Sequence, residues 1–126
     1  MNIYDKIPES ITEEIIEIMY QNPHCKVERI ISNGQITTEN EWYDQDQEEW
    51  IILVQGEATI LIEKLQEESS DKCNILNCNI KEESCDKVHM VKGDTLLIKS
   101  HQKHRVIYTS QNPLCIWLCV FVDNIK

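Results

Sequence analysis

Residues 42–56 read WYDQDQEEWIILVQG: aromatic and acidic side chains first, then a hydrophobic run, then Gly56. An apolar run of this length, closed by a glycine, is the pattern of a buried strand ending at a tight turn or a bend. Residues 93–109, GDTLLIKSHQKHRVIYT, are its natural counterpart and carry two of the four histidines. Gly93-Asp94 marks a turn, and strands follow at Thr95 to Lys99 and at His104 to Thr109. Alternation along the second strand puts His104, Val106 and Tyr108 on one face and Arg105, Ile107 and Thr109 on the other. Together the two blocks point to a small β-barrel built around a metal or small-molecule site.

Working outward, VERIIS (27–32) reads as a strand running into an Asn33-Gly34 turn. Gly56 separates two further strands, WIILVQ and EATILIE, and Val88 to Val91 forms another. LCIWLCVFV (114–122) has no polar face, so both of its sides should be buried. About seven or eight short strands at this turn spacing indicate an all-β barrel or jelly roll. Ahead of them the spacing predicts one short helix over about residues 9–21. Ser10 and Glu13 form a capping box, Ile11, Ile15, Ile18 and Met19 recur at helical spacing, and Pro23 lies just past the end. Residues 64–87 are polar and lack periodicity, and the span exceeds the roughly 12–15 residues usual for a structureless loop. They read as a mobile insertion between strands or an extended hairpin. The whole chain, 1–126, reads as one domain, with the barrel over about residues 27–122.

A formal net charge of −10, with Arg29 and Arg105 the only arginines, suits neither a nucleic-acid backbone nor an anionic membrane surface. No basic start with an apolar leader and no apolar run near the ~20 residues of a membrane span is present, so a cytoplasmic location with reduced thiols is expected. There is no glycine-rich phosphate loop and no nucleophile elbow, which argues against nucleotide and α/β-hydrolase chemistry.

At the level of motifs the chain resembles the cupin family, small double-stranded β-helix (jelly-roll) barrels with the motifs G-x5-H-x-H-x3,4-E-x6-G and G-x5-P-x-G-x2-H-x3-N. Glu49 and Gly56 match the end of the first motif; Gly93 opens the second, and His104 falls at its histidine. The resemblance spans about residues 27–122. Trp42 and Asp44, or Tyr43 and Gln45, stand where the first motif has histidines. Lys99, His101 and Tyr108 stand for the proline, glycine and asparagine of the second. The resemblance therefore carries over only Glu49 and His104 from the family's metal ligands. It also implies dimerisation through an edge sheet.

Carboxylate and imidazole suit zinc, iron, nickel or manganese, and three or four donors must converge on the ion. Asp44 and His101 are the candidates to join Glu49 and His104. The alternative is a Glu49–His104 hydrogen-bonded pair that satisfies two buried polar groups without metal, leaving Asp44 to cap a turn and His101 exposed. Trp42, Tyr43 and Trp50 are candidates for the mouth of a pocket or for ordinary core. Tyr108 and Asp44 are acid–base candidates should the protein be an enzyme. Arg105 has the fork geometry to anchor an anionic substrate, but alternation points it away from His104 and favours an outward salt bridge. A second, weaker set, Cys73, Cys78, Cys85 and His89, has the donor types of a structural zinc clip but lacks a C-x2-C knuckle. Cys115 and Cys119 read as buried small hydrophobes. The expected function is a small cupin holding a divalent metal and a small polar molecule, with metal-dependent turnover if it is an enzyme; the alternatives are a metabolite-binding barrel without metal and a structural dimer.

Overall fold

A computed structural model describes residues 1–65 and 84–123. Among these residues eight strands are present: β1 (Ile15–Asn22), β2 (Cys25–Ser32), β3 (Glu48–Gln55), β4 (Glu57–Glu63), β5 (Cys85–Val91), β6 (Thr95–Ile98), β7 (His104–Thr109) and β8 (Cys115–Val122). They form a five-stranded sheet in the order β1-β2-β8-β3-β6 and a three-stranded sheet in the order β5-β4-β7, antiparallel throughout. The fold is all-β. Side chains from both sheets meet in one core that includes Ile51, Leu53, Ala58, Ile60, Met90, Ile98 and Trp117.

No helix occupies residues 9–21. The chain there runs into strand β1, which corrects the expected N-terminal helix. The isoleucines of IIEIMY fit a period of two as well as one of 3.6. Ile15, Glu17 and Met19 are half-buried, while Ile16, Ile18 and Tyr20 are exposed. β-branched residues favour the extended form, and pairing with β2 from Ile15↔Ile31 to Asn22↔Cys25 satisfies the backbone. Pro23 ends no helix. It sits in the two-residue hairpin turn, where the Asn22 side chain accepts a hydrogen bond from the His24 amide at 2.8 Å.

β8 is buried on its inner face, while its other face, expected to be buried too, is only partly covered: Ile116 is buried, Leu118 and Val120 half-buried and Val122 exposed. It lies between β2 and β3, and its inner residues Cys115, Trp117 and Cys119 enter the core. Outside, the N-terminal segment bridges its two neighbours. Arg29 of β2, only 1% exposed, donates to the carbonyls of Ile3 and Asp5 at 2.8 Å each. The Tyr4 hydroxyl donates to the Val54 carbonyl of β3 at 2.9 Å. Between β3 and β4, Gly56 has φ +88° and its Cα faces Ser110 and the backbone of Leu114 and Cys115, so no side chain fits there. Cys73 and Cys78, and with them the suggested zinc clip and most of the 64–87 insertion, lie outside the described residues.

Candidate functional site

Residues 33–47 carry no regular strand but run as a strap along β7, the edge of the three-stranded sheet. The Thr37 amide donates to the Val106 carbonyl, Thr109 Oγ1 donates to the Gln35 carbonyl, and Tyr43 and His104 exchange backbone bonds of 2.8 and 3.2 Å. The strap thereby satisfies an otherwise unpaired edge and closes one side of a cavity of about 200 Å3 between the sheets.

Two polar side chains meet inside. Glu49 comes from β3 and His104 from the start of β7; they are 6% and 5% exposed. His104 Nδ1 lies 3.1 Å from the Gln102 carbonyl. A carbonyl only accepts, so Nδ1 carries the proton and Nε2 faces Glu49 Oε1 at 3.6 Å, beyond hydrogen-bond length. The Gln45 side-chain amide donates to the same oxygen at 3.0 Å. The Tyr43 ring lies over His104 with centroids 5.4 Å apart. The remaining wall is apolar where Ile30, Ile51, Ile60, Val106, Trp117 and Phe121 reach it, and polar at Glu14, Glu28 and Cys119. Burial, and then the negative charge of Glu49, pushes the Cys119 thiol well above its usual range, so it stays protonated.

The predicted residues divide between two places. Glu49, His104 and Tyr43 line the cavity. Asp44 and His101 pair instead with each other on the exposed rim: His101 Nδ1 is 2.7 Å from Asp44 Oδ1, and Nε2 is 3.2 Å from Asp46 Oδ1. The Asp44 hydrogen bond is the larger cause of a raised His101 pKa. His101 adopts φ +60°, a left-handed conformation, at the position where the cupin motif has glycine. Trp42 lies near the Arg105 guanidinium at 5.7 Å, and Trp50 is exposed beside Leu97 of β6; neither lines the cavity. Tyr108 is exposed as well. A register shift opposite Thr59 and Ile60 reverses the alternation, so Thr109 faces inward in its place. Arg105 is half-buried, and its Nε has no hydrogen-bond partner.

Glu14, Glu28, Trp117 and Cys119 line the cavity without having been singled out in the sequence as site residues. The available signal was alternation within β2, which puts Glu28 on the same side as Ile30.

The donor set falls short of what a resident metal ion needs: Glu49 and His104 bring two donors together, and among the described residues no group of three or more histidines, cysteines or carboxylates gathers in a way that could hold an ion.

No protein-family model and no curated protein matches the chain. Among solved structures it is similar to a proposed mannose-6-phosphate isomerase from Ralstonia eutropha JMP134, at 30% identity and TM-score 0.77, covering 98% of this chain and 97% of that one. An RmlC-like cupin family protein with a double-stranded β-helix fold, from Methanocaldococcus jannaschii, matches at 11% identity and TM-score 0.59, covering 94% and 87% of the two chains. Oxalate decarboxylase of Bacillus subtilis, which has Mn(II) centres, matches at 16% identity and TM-score 0.54, covering 82% of this chain and 22% of that one. These last two likenesses concern the fold alone.

Proposed function

The chain belongs to the cupin superfamily, and we propose that it is a small-molecule-binding member, a double-stranded β-helix whose ligand meets the Glu49–His104 wall directly and not through a resident metal. The observation that carries this reading is the cavity itself. It is a space of about 200 Å3 between the sheets, with a largely apolar lining and the buried Glu49–His104 pair on its wall. The Gln45 amide holds Glu49 and the Gln102 carbonyl holds His104 Nδ1, so both groups are oriented toward the space a ligand would fill. The acid–base candidates Tyr108 and Asp44 stand away from this wall, which supports binding over turnover by those two groups.

A second reading keeps a divalent ion: zinc, iron, nickel or manganese. It is favoured by the orientation of the His104 ring, whose Nδ1 is tied to the Gln102 carbonyl and whose Nε2 is turned toward Glu49. The ion would then need further donors from the ligand. A homodimer completes the proposal, with the exposed Ile16, Ile18 and Tyr20 of edge strand β1 as the surface it would cover. No helix among the described residues is long and apolar enough to cross a membrane, and a cytoplasmic location remains part of the proposal.

The test is protein-observed NMR on EDTA-treated protein against a fragment set. The account expects ligands that shift the Trp117 indole and leave the exposed Trp50 indole unmoved. A fragment set that never moves Trp117 overturns it.

A further inference from the structure

The fold provides for its two arginines differently. Arg29 is met by the Glu17 carboxylate and by two backbone carbonyls. Arg105 stands half-buried on the outer face of the three-stranded sheet, and its buried Nε has no hydrogen-bond partner. Among the described residues no carboxylate pairs with its guanidinium, so the outward salt bridge that alternation favours is not made there, although the chain carries 22 acidic residues. A buried donor left without an acceptor is costly, and the group that matches a guanidinium fork is an oxyanion.

A second cation stands in the same row. Leu61 of β4 pairs with Arg105 of β7 on one side and with Lys87 of β5 on the other, and alternation turns all three away from the core. Lys87 is exposed, and no described carboxylate pairs with it either. Leu61 between them is 2% exposed, an apolar floor beside which charge is screened less than in open water. The half-buried Trp42 lies beside the row, the centre of its ring 5.7 Å from the Arg105 guanidinium carbon. In the next row Thr59 pairs with Tyr108, which is 46% exposed. The carboxylates of this face are engaged elsewhere: Glu57 with His89 at 3.1 Å, and Glu63 with the Lys103 amide at 3.2 Å.

We propose that this outer face is a second binding site, separate from the barrel cavity, and that it takes a phosphate monoester. The Arg105 fork offers paired N–H donors to two phosphate oxygens, and Nε gains the acceptor it lacks. Lys87 supplies the second positive charge, which matches a group carrying about −1.5 to −2 near neutral pH. A monocarboxylate fits the fork as well but leaves Lys87 uncompensated. Trp42 and Tyr108, neither of which reaches the cavity, offer aromatic surface to the organic part of the ester. Because Nε is shielded from solvent, docking there must move the side chains packed around it, the Trp42 ring among them.

The experiment is an NMR titration with phenyl phosphate, beside phenol and sodium acetate at matched ionic strength. It follows the Arg105 Nε–H, the Trp42 indole and, as the internal control inside the barrel, the Trp117 indole. Phenyl phosphate should move Arg105 and Trp42 saturably, with a Kd of about 1 mM, and leave Trp117 unmoved. It should bind about tenfold or more tightly than phenol or acetate, the factor expected of a charge-assisted hydrogen bond. Arg105→Lys keeps the charge and loses the fork, so it should weaken phenyl phosphate about tenfold. Lys87→Ala, at an exposed position, should weaken phenyl phosphate more than acetate. Shifts that never saturate, phenol or acetate binding as tightly, or full affinity in Arg105→Lys overturns the proposal. So does movement of Trp117, which would put the phosphate in the barrel, and so does silence of the native protein, which needs no variant to fold. None of these outcomes removes the cavity reading, which its own fragment set decides.

Discussion

Replacing Arg29 with methionine should cost about 3 kcal/mol. The guanidinium is 1% exposed and makes four polar contacts: two to Glu17 Oε1 at 2.7 Å, through Nε and Nη2, and one each to the carbonyls of Ile3 and Asp5 at 2.8 Å. Breaking a buried ion pair costs roughly 3–5 kcal/mol. Glu17 is 40% exposed on its side chain and rehydrates once released, which pulls the figure toward the lower end. Methionine refills part of the volume. For a chain of this length, about 3 kcal/mol lowers the melting temperature by roughly 10–15 °C. Urea denaturation followed by Trp fluorescence reads the loss, and Glu17→Gln, which leaves the buried guanidinium without its counter-charge, should also destabilise, by about 2–3 kcal/mol. Removing residues 1–6 should shrink the effect of Arg29→Met, because two of its acceptors are then gone. A loss under about 1 kcal/mol, or the same loss with and without residues 1–6, would refute the docking of the N-terminal segment through Arg29.

Other expectations concern the turns, the rim and the thiols. Gly56→Ala should destabilise by about 1–3 kcal/mol from the positive φ alone, and by more because its methyl meets Ser110 and backbone; the urea midpoint measures it. His101→Gly should be more stable than His101→Ala by about 1 kcal/mol, since both lose the aspartate pairs and only alanine keeps the left-handed strain. The His101 imidazole should titrate above its usual 6.5. Its grip on the strap is therefore complete below that value and is lost as pH rises through the raised pKa, which NMR titration of the ring follows. Burial pushes the Cys115 thiol to about 12 and Cys119 well up too, so both should resist a thiol reagent at pH 8 until the protein unfolds, as mass spectrometry of the labelled peptides would show.

The strands from β3 to β8 were legible wherever a glycine or proline marked a turn and the pattern was local. β7 begins and ends where the alternation places it, and the apolar β8 is a central strand with one face in the core and the other partly covered. β1 was not legible, because IIEIMY satisfies two periods and the deciding term is a distant one: the ladder to β2 and the Arg29–Glu17 contact. The site was half legible. Glu49 and His104 stand at fixed distances from Gly56 and Gly93, so motif spacing found them. Tyr108 was misplaced by a bulge that no local pattern announces. Glu28 and Cys119 became neighbours only through the β2–β8 register, and Asp44 and His101 were drawn to each other on the rim by the turn that gives His101 a positive φ.

Elemental analysis of tag-free protein, beside the His104→Ala variant, tests the central claim most directly. After incubation with zinc, iron, nickel or manganese and removal of the excess, the account predicts well under one metal per chain in the native protein, with the same residue in the variant. Near-stoichiometric metal in the native protein that His104→Ala loses would contradict it and make the Glu49–His104 wall a metal centre.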